Sequence, residues 1–223
     1  MIRLRHLSKT YLVRGQRKCV ADNISIDLPA GRSIALLGRN GAGKSSLLRM
    51  LAGTMDPDSG SILISGSVSW PVGFAGSFSP DLTGAQNTLF IARVYGVETA
   101  ALLESVERFA ELGGHFNLPV RTYSAGMRSR LAFGISMGIK FDTYLVDEVT
   151  SVGDLRFREK SLVVFKKRLE TSGAVVVSHS MPLIRKLCQH GMVLENGKLT
   201  YYDAVGDAIA RHEGHSKPHG QAA

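Results

Sequence analysis

A glycine-rich segment separates an apolar run from a helical pattern near the start of the chain. Residues 33–37 are apolar enough for a short buried strand, and residues 46–51 have the apolar spacing of a helix. Between them, residues 38–45 read GRNGAGKS and fit the phosphate-loop pattern G-x-x-x-x-G-K-[ST]. Such a loop points its backbone N–H groups at phosphate oxygens, and the following helix turns its positive dipole end to the same anion. The segment therefore predicts an α/β fold that binds a nucleoside triphosphate.

Two side chains of this loop have specific expected roles. Lys44 is expected to reach the β- and γ-phosphates, and Ser45 is expected to be a ligand of the Mg²⁺ that accompanies ATP. A glycine-rich turn before an ordinary helix is the alternative, but the strand and the helix on either side favour the phosphate loop. The residues predicted to contact the nucleotide here are Gly38, Arg39, Asn40, Gly41, Ala42, Gly43, Lys44, Ser45 and Ser46.

Polar side chains follow two further apolar runs. Asp147 and Glu148 come directly after residues 144–146, and His179 comes shortly after residues 174–177. Asp147 is expected to hold Mg²⁺, and Glu148 to orient or deprotonate an attacking water. His179 is expected to hydrogen-bond the γ-phosphate, because ligands of open α/β sheets collect at the carboxyl ends of the strands. A solvated strand end would not explain why both acids follow an apolar run directly. With Lys44, Glu148 and His179 as the catalytic residues, the pattern predicts ATP hydrolysis.

Composition favours one globular domain. The chain has 223 residues, of which 44% are hydrophobic and 21% charged, and it contains neither an apolar run long enough to span a membrane nor a secretion signal. We therefore expect a cytoplasmic protein. The net charge of +8 suits either an anionic partner or a solvated face that aids solubility, and it does not decide between them.

The order of predicted elements indicates how this domain is built. Alternating residues in the first 30 positions predict an antiparallel β part, and the strand–helix–strand order of residues 143–177 indicates a parallel sheet. Helical spacing predicts a helical segment at residues 85–110 and a further helix from near residue 125. We expect the domain to cover residues 1–213 and residues 214–223 to form a disordered tail.

The order of these motifs resembles that of the ATP-binding subunits of ABC transporters, and the resemblance covers roughly residues 2–210. Residues 122–127 (TYSAGM) look like a variant of that family's signature segment, and residues 147–154 (DEVTSVGD) are similar to its carboxylate pair and the loop that ends in aspartate. Tyr11 matches the aromatic residue that stacks on adenine, and His179 matches the switch histidine. The resemblance implies the P-loop NTPase fold of ABC ATPases, with an antiparallel β subdomain and a helical subdomain at about residues 77–140.

The same resemblance implies a homodimer. In the family, two nucleotides lie between two head-to-tail subunits, and the signature segment of one subunit contacts the γ-phosphate held by the other. Ser124 and Gly126 would open a helix whose hydroxyl and free N–H groups face that anion, and Asp154 would lie at the interface. Each site would then be incomplete in a monomer.

One loop departs from the usual pattern of the family. Members commonly have a glutamine near the position of Phe74, where this chain has an aromatic and glycine-rich stretch that also includes Trp70 and Phe78. This stretch looks like that of capsular-polysaccharide exporters. We expect it to pack against a membrane subunit, although a platform for stacking sugars is an alternative. Val149 and Ala125 are smaller departures, at positions where proline and glycine are commoner.

The resemblance therefore implies an ATP-hydrolysing subunit at the cytoplasmic face of the inner membrane. It would be peripheral, would work with integral membrane permease subunits to export capsular polysaccharide, and would contact the polysaccharide only indirectly and no nucleic acid. The alternatives are export of another substrate, such as O-antigen, a lipid or a drug, and a soluble ABC-type ATPase that acts on DNA or ribosomes. Only the net charge supports the last of these.

Overall fold

The computed structural model describes residues 1–13, 15–73, 76, 78–148 and 154–216. The strands are β1 (Ile2–Val13), β2 (Gln16–Leu28), β3 (Ser33–Leu37), β4 (Ser59–Ile64), β5 (Val68–Pro71), β6 (Thr143–Asp147), β7 (Gly173–Val177), β8 (His190–Glu195) and β9 (Lys198–Tyr202). The α-helices are α1 (Lys44–Leu51), α2 (Gly84–Val94), α3 (Thr99–Ala110), α4 (Ala125–Gly138), α5 (Leu155–Leu169), α6 (Met181–Leu187) and α7 (Val205–Ser216).

These elements fall into two units. The first comprises Met1–Pro71, Asp142–Glu148 and Thr171–Ala223, and the second comprises Val72–Phe141 and Val149–Glu170. The first unit therefore contains every strand named above together with α1, α6 and α7, and the second contains α2 to α5. The second unit includes α5, which lies outside the helical subdomain that we expected at about residues 77–140.

Two sheets form the first unit. One is antiparallel, in the order β2-β1-β4, and the other has six strands in the order β5-β6-β7-β3-β8-β9. The first five strands of the larger sheet are parallel, and β9 pairs antiparallel with β8. Every residue of β3 and β7 is buried, which is why these strands are almost wholly apolar and do not alternate. The phosphate loop follows β3, Asp147 ends β6 and His179 follows β7. All three are therefore placed by parallel strands of the same sheet.

The core of the first unit joins both sheets to α1. Leu4 and Leu7 of β1, Leu36 of β3 and Leu48 of α1 are all buried in one apolar cluster, together with Val175 of β7. Because α1 is anchored by this cluster, the start of the helix is fixed at the carboxyl end of β3.

The last helix of the first unit continues into the expected tail. Helix α7 extends to Ser216, so residues 214–216 are helical in a segment that we expected to be disordered, and residues 217–223 lie outside the described residues. α7 packs on β8, where Gly191 leaves room for Ala208. A buried apolar stripe, Ala208 and Ile209, explains why the helix forms there.

The second unit is a helical layer held by close packing. Gly134 and Gly138 of α4 face Val106 of α3, and the ring of Phe109 stacks on Phe133 with centroids 5.5 Å apart. Phe109 also meets Phe157 of α5 edge-on at 5.2 Å. None of the helices in the described part of the chain combines the length and the apolar character that a membrane crossing requires.

Candidate nucleotide site

The loop between β3 and α1 has a backbone that only glycine adopts easily. Gly43 precedes α1 with φ 109°, and a β-carbon there would lie 2.7 Å from Cβ of Val20. No side chain caps this helix end, so its first N–H groups stay available to an anion. The tight loop and the free helix start together form a phosphate-binding geometry.

The ammonium of Lys44 lies inside this loop. Its Nζ donates to the carbonyl oxygens of Gly38 at 2.7 Å and of Arg39 at 3.1 Å. Partial burial lowers the pKa of Lys44, while the nearby carboxylates of Asp147 and Glu148 oppose that shift. A cation held among carbonyls in this way is placed to exchange them for phosphate oxygens.

Ser45 and Asp147 meet although 102 residues separate them in sequence. The Ser45 hydroxyl donates to Oδ2 of Asp147 at 3.1 Å, because α1 begins where β6 ends. A hydroxyl and a carboxylate are oxygen ligands of the kind that Mg²⁺ prefers, with phosphate and water oxygens completing an octahedron. The residues present therefore fit a magnesium ion.

Glu148 and His179 lie at the ends of the neighbouring strands β6 and β7. The backbone of Glu148 has φ 56°, and its N–H donates to the carbonyl of Val177 at 3.0 Å. Its Oε1 lies 3.2 Å from Nε2 of His179. This carboxylate and imidazole are adjacent and exposed, so both can hydrogen-bond a molecule bound at this edge of the sheet.

These residues line one cleft of about 560 Å³. Tyr11 of β1 lies at one side, where its hydroxyl is 3.1 Å from Oγ of Ser46. The predicted residues that line this cleft are Tyr11, Asn40, Gly41, Gly43, Lys44, Ser45, Ser46, Asp147, Glu148 and His179. Gly38, Arg39 and Ala42 belong to the same loop but do not line it.

Sequence reasoning missed four other residues of this cleft, namely Val13, Lys18, Val20 and Val177. The first three alternate along β1 and β2 on the face that carries Tyr11. The period-two pattern on either side of Tyr11 was the available signal, but using it requires the pairing register of the two strands.

The remaining predicted site residues lie in the second unit. Ser124 caps α4 by accepting the N–H of Met127 at 3.2 Å, and Asp154 caps α5 by accepting the N–H of Phe157 at 2.9 Å. Arg130 of α4 contacts Oδ2 of Asp154 at 2.6 Å and so links α4 to the start of α5. The N–H of Phe157 and the charge of Arg130 hold the pKa of Asp154 below its usual value.

A second cavity of about 480 Å³ lies at these two helix starts. It is lined by Glu111, Leu112, His115, Ser124, Gly126, Met127, Arg130 and Asp154. The predicted site residues are therefore divided between the two units, with Ser124, Gly126 and Asp154 in the second.

The structure describes only part of the aromatic and glycine-rich stretch from Trp70 to Phe78. Trp70 lies within β5 and is half-buried, and Phe78 is half-buried in the second unit. Phe74 and Val149 lie outside the described residues, so the expectation that this loop contacts a membrane subunit stays a prediction.

The sequence profile of the ABC transporter family matches residues 21–151. The polysialic acid transport ATP-binding protein KpsT of Escherichia coli is 48% identical over 212 residues, which cover 94% of this chain and 95% of that protein. The capsule polysaccharide export ATP-binding protein CtrD of Neisseria meningitidis is 42% identical over 209 residues, covering 93% and 96%. An O-antigen export system ATP-binding protein, RfbB of Klebsiella pneumoniae, is 34% identical over 194 residues, covering 84% and 78%.

Solved structures share the fold at much lower identity. An ATP-binding subunit of an ABC transporter superposes with a TM-score of 0.80 at 20% identity, covering 96% of this chain and 93% of that one. A dimeric ATP-binding cassette bound to ADP and Pi gives a TM-score of 0.77 at 20% identity, covering 92% and 99%.

Proposed function

The chain belongs to the ABC transporter family as an ATP-binding, ATP-hydrolysing subunit, and from this premise we propose that it powers the export of a capsular polysaccharide. Relatives at 48% and 42% identity carry names of polysialic acid transport and capsule polysaccharide export, whereas the O-antigen export relatives are at 34% to 38%. This difference in identity is the observation that carries the proposal.

For the chemistry, we propose that the cleft of the first unit binds ATP with Mg²⁺. Lys44 holds the β- and γ-phosphates, while Ser45 and Asp147 ligate the metal ion. Glu148 orients or deprotonates the attacking water, and His179 hydrogen-bonds the γ-phosphate. The 3.2 Å contact between Glu148 and His179 supports a shared role at that water.

We further propose that two copies of the chain close on two nucleotides. Ser124 and Gly126 start α4 with N–H groups that no acidic residue of its first turn neutralises, so this helix start suits the γ-phosphate held by another copy. Asp154 is fixed beside it by Arg130. Integral membrane permease subunits would carry the polymer, and this chain would sit at the cytoplasmic face of the inner membrane as a peripheral subunit without a nucleic-acid partner.

The proposal is tested in an encapsulated host from which the gene is deleted. Complementation with Glu148→Gln should leave the polymer inside the cell and remove it from the surface, because the amide is a poor base and ATP turnover stops. Glu107→Gln makes the same chemical change on the exposed face of α3 and should restore surface capsule. Capsule immunoblots of whole and permeabilised cells measure both pools.

Normal surface capsule with Glu148→Gln would contradict the proposal. Loss of lipopolysaccharide O-chains with capsule intact would instead identify O-antigen as the exported polymer.

A further inference from the structure

A lysine of the antiparallel sheet shares the nucleotide cleft with the phosphate loop. Lys18 of β2 pairs directly with Tyr11 of β1, and opposed residues of an antiparallel pair point to the same face. Lys18 and Tyr11 both line the cleft. The loop motif does not include Lys18, and the roles proposed above leave it without a function.

The ammonium of Lys18 lies against the middle of the phosphate loop. A β-carbon at Gly41, whose φ is 77°, would be 3.1 Å from Lys18 Nζ. The ammonium of Lys44 bonds instead to the first carbonyls of the loop, those of Gly38 and Arg39. The two cations therefore approach the loop at different positions along it.

Within the described part of the chain, no carboxylate forms an ion pair with Lys18, whereas the other lysine of this sheet on the Tyr11 side, Lys9, is paired with Asp58 at 2.7 Å. Arg17, the neighbour of Lys18, pairs with Leu12 across the strands and does not line the cleft. Lys18 is thus an unpaired cation pointed at an anion-binding loop.

We propose that Lys18 binds the α- and β-phosphates of the nucleotide. Its place follows from two contacts: Lys18 is opposite Tyr11 on the same face, and its Nζ lies at Gly41 of the phosphate loop. Lys18 therefore stands between a base stacked on Tyr11 and phosphates held by the loop. Strands β1 and β2 then hold the nucleotide at two points, the base through Tyr11 and the phosphates through Lys18. This inference rests on ATP binding in the proposed cleft.

The test measures the affinities of the full chain for Mg·ATP and Mg·ADP by calorimetry. Lys18→Gln should weaken both by the same factor, about 5- to 20-fold, because a charge-assisted hydrogen bond at a solvent-exposed position is lost. Lys18→Arg should stay within about threefold of wild type, since it keeps the cation. Arg17→Gln removes the same charge one residue away and should change affinity less than twofold.

Two further readouts separate phosphate binding from a structural role. The KM for ATP should rise in Lys18→Gln with kcat nearly unchanged, since the contact is made equally before and during hydrolysis. The affinity difference from wild type should shrink between low and high salt. Lys18 is exposed, so the melting temperature should not change.

Equal effects of Lys18→Gln and Arg17→Gln would overturn the inference and leave the nucleotide site intact. A loss for ATP without a loss for ADP would also overturn it, by placing Lys18 at the γ-phosphate. Absence of ATP binding in the wild-type chain would defeat both this inference and the proposed function.

Discussion

Glu148 has a backbone conformation that is unusual for a residue with a β-carbon. Its φ of 56° costs about 1–3 kcal/mol for a residue other than glycine. The hydrogen bond from its N–H to Val177 fixes this conformation between two buried strands. The strain is thus balanced by the sheet, and the carboxylate lies beside His179.

The two cysteines differ in their exposure to solvent. Cys188 is buried, and burial raises the pKa of its thiol to about 12, whereas Cys19 is exposed. Because the unfolded thiol ionises near its ordinary pKa of 9.0, unfolding releases a proton between these two pH values. The free energy of unfolding should therefore fall as the pH rises above 9.0.

The first prediction concerns the reactivity of these thiols. Since only the thiolate reacts and Cys188 stays protonated in the folded chain, native protein at pH 8 should show one fast-reacting thiol in Ellman titration and two after denaturation. Cys19→Ser should remove the fast thiol, and Cys188→Ala should retain it. Two fast thiols in the native wild-type chain would contradict the burial of Cys188.

At the scale of elements, α3 and α4 approach closely because α4 has glycines at the contact. Gly138 faces Leu102, and Gly134 lies where a β-carbon would be 3.5 Å from Val106. The spacing of four residues puts both glycines on one face of the helix. Their lack of side chains sets the separation of the two helices, and with it the position of the α4 start that carries Ser124.

The second prediction tests this packing. Gly138→Val should destabilise the chain by about 1–3 kcal/mol, because the added methyl groups overlap the Leu102 side chain. Gly114→Val adds the same groups where nothing lies within 4 Å of the new β-carbon, and it should change stability by less than about 0.5 kcal/mol. Urea unfolding followed by circular dichroism measures both. A wild-type urea midpoint for Gly138→Val would show that α3 and α4 are not tightly packed.

At the scale of the whole molecule, the predicted site residues lie in two separate cavities. The cleft of the first unit has the residues for phosphate and metal, and the cavity of the second unit has the helix start at Ser124. In the proposed dimer, ATP is shared between two copies of the chain, and both cavities then have a role.

The third prediction follows from this arrangement. Glu148→Gln should bind Mg·ATP without turning it over and elute from gel filtration as a dimer, while the same variant with ADP should elute as a monomer. Adding Gly126→Asp should restore the monomer without loss of ATP binding, because a carboxylate at the start of α4 repels the γ-phosphate. Glu107→Gln serves as the control and should hydrolyse ATP as wild type does. A Glu148→Gln chain that stays monomeric with bound ATP would refute the shared site.

The family and the fold class were predictable from sequence, and the comparisons confirm both. Residues 38–45 are contiguous, so their identity and order alone predict a tight anion-binding turn between a strand and a helix. Asp147 follows an apolar run directly and His179 follows another after one intervening residue, which placed both at strand ends. The individual roles of these residues and the domain limits stay predictions.

Only the tertiary structure decided which residues from distant parts of the chain meet. The contact of Ser45 with Asp147 depends on strand order, and the position of Lys18 over Gly41 depends on the register of β1 against β2. Helix α7 extends to Ser216 although the composition of residues 214–216 suggests a tail, and the buried residues of this helix, Ala208 and Ile209, lie earlier in it. Local patterns fix what a segment can form, but such pairings depend on burial and hydrogen bonds between segments far apart in sequence, which a local pattern does not contain.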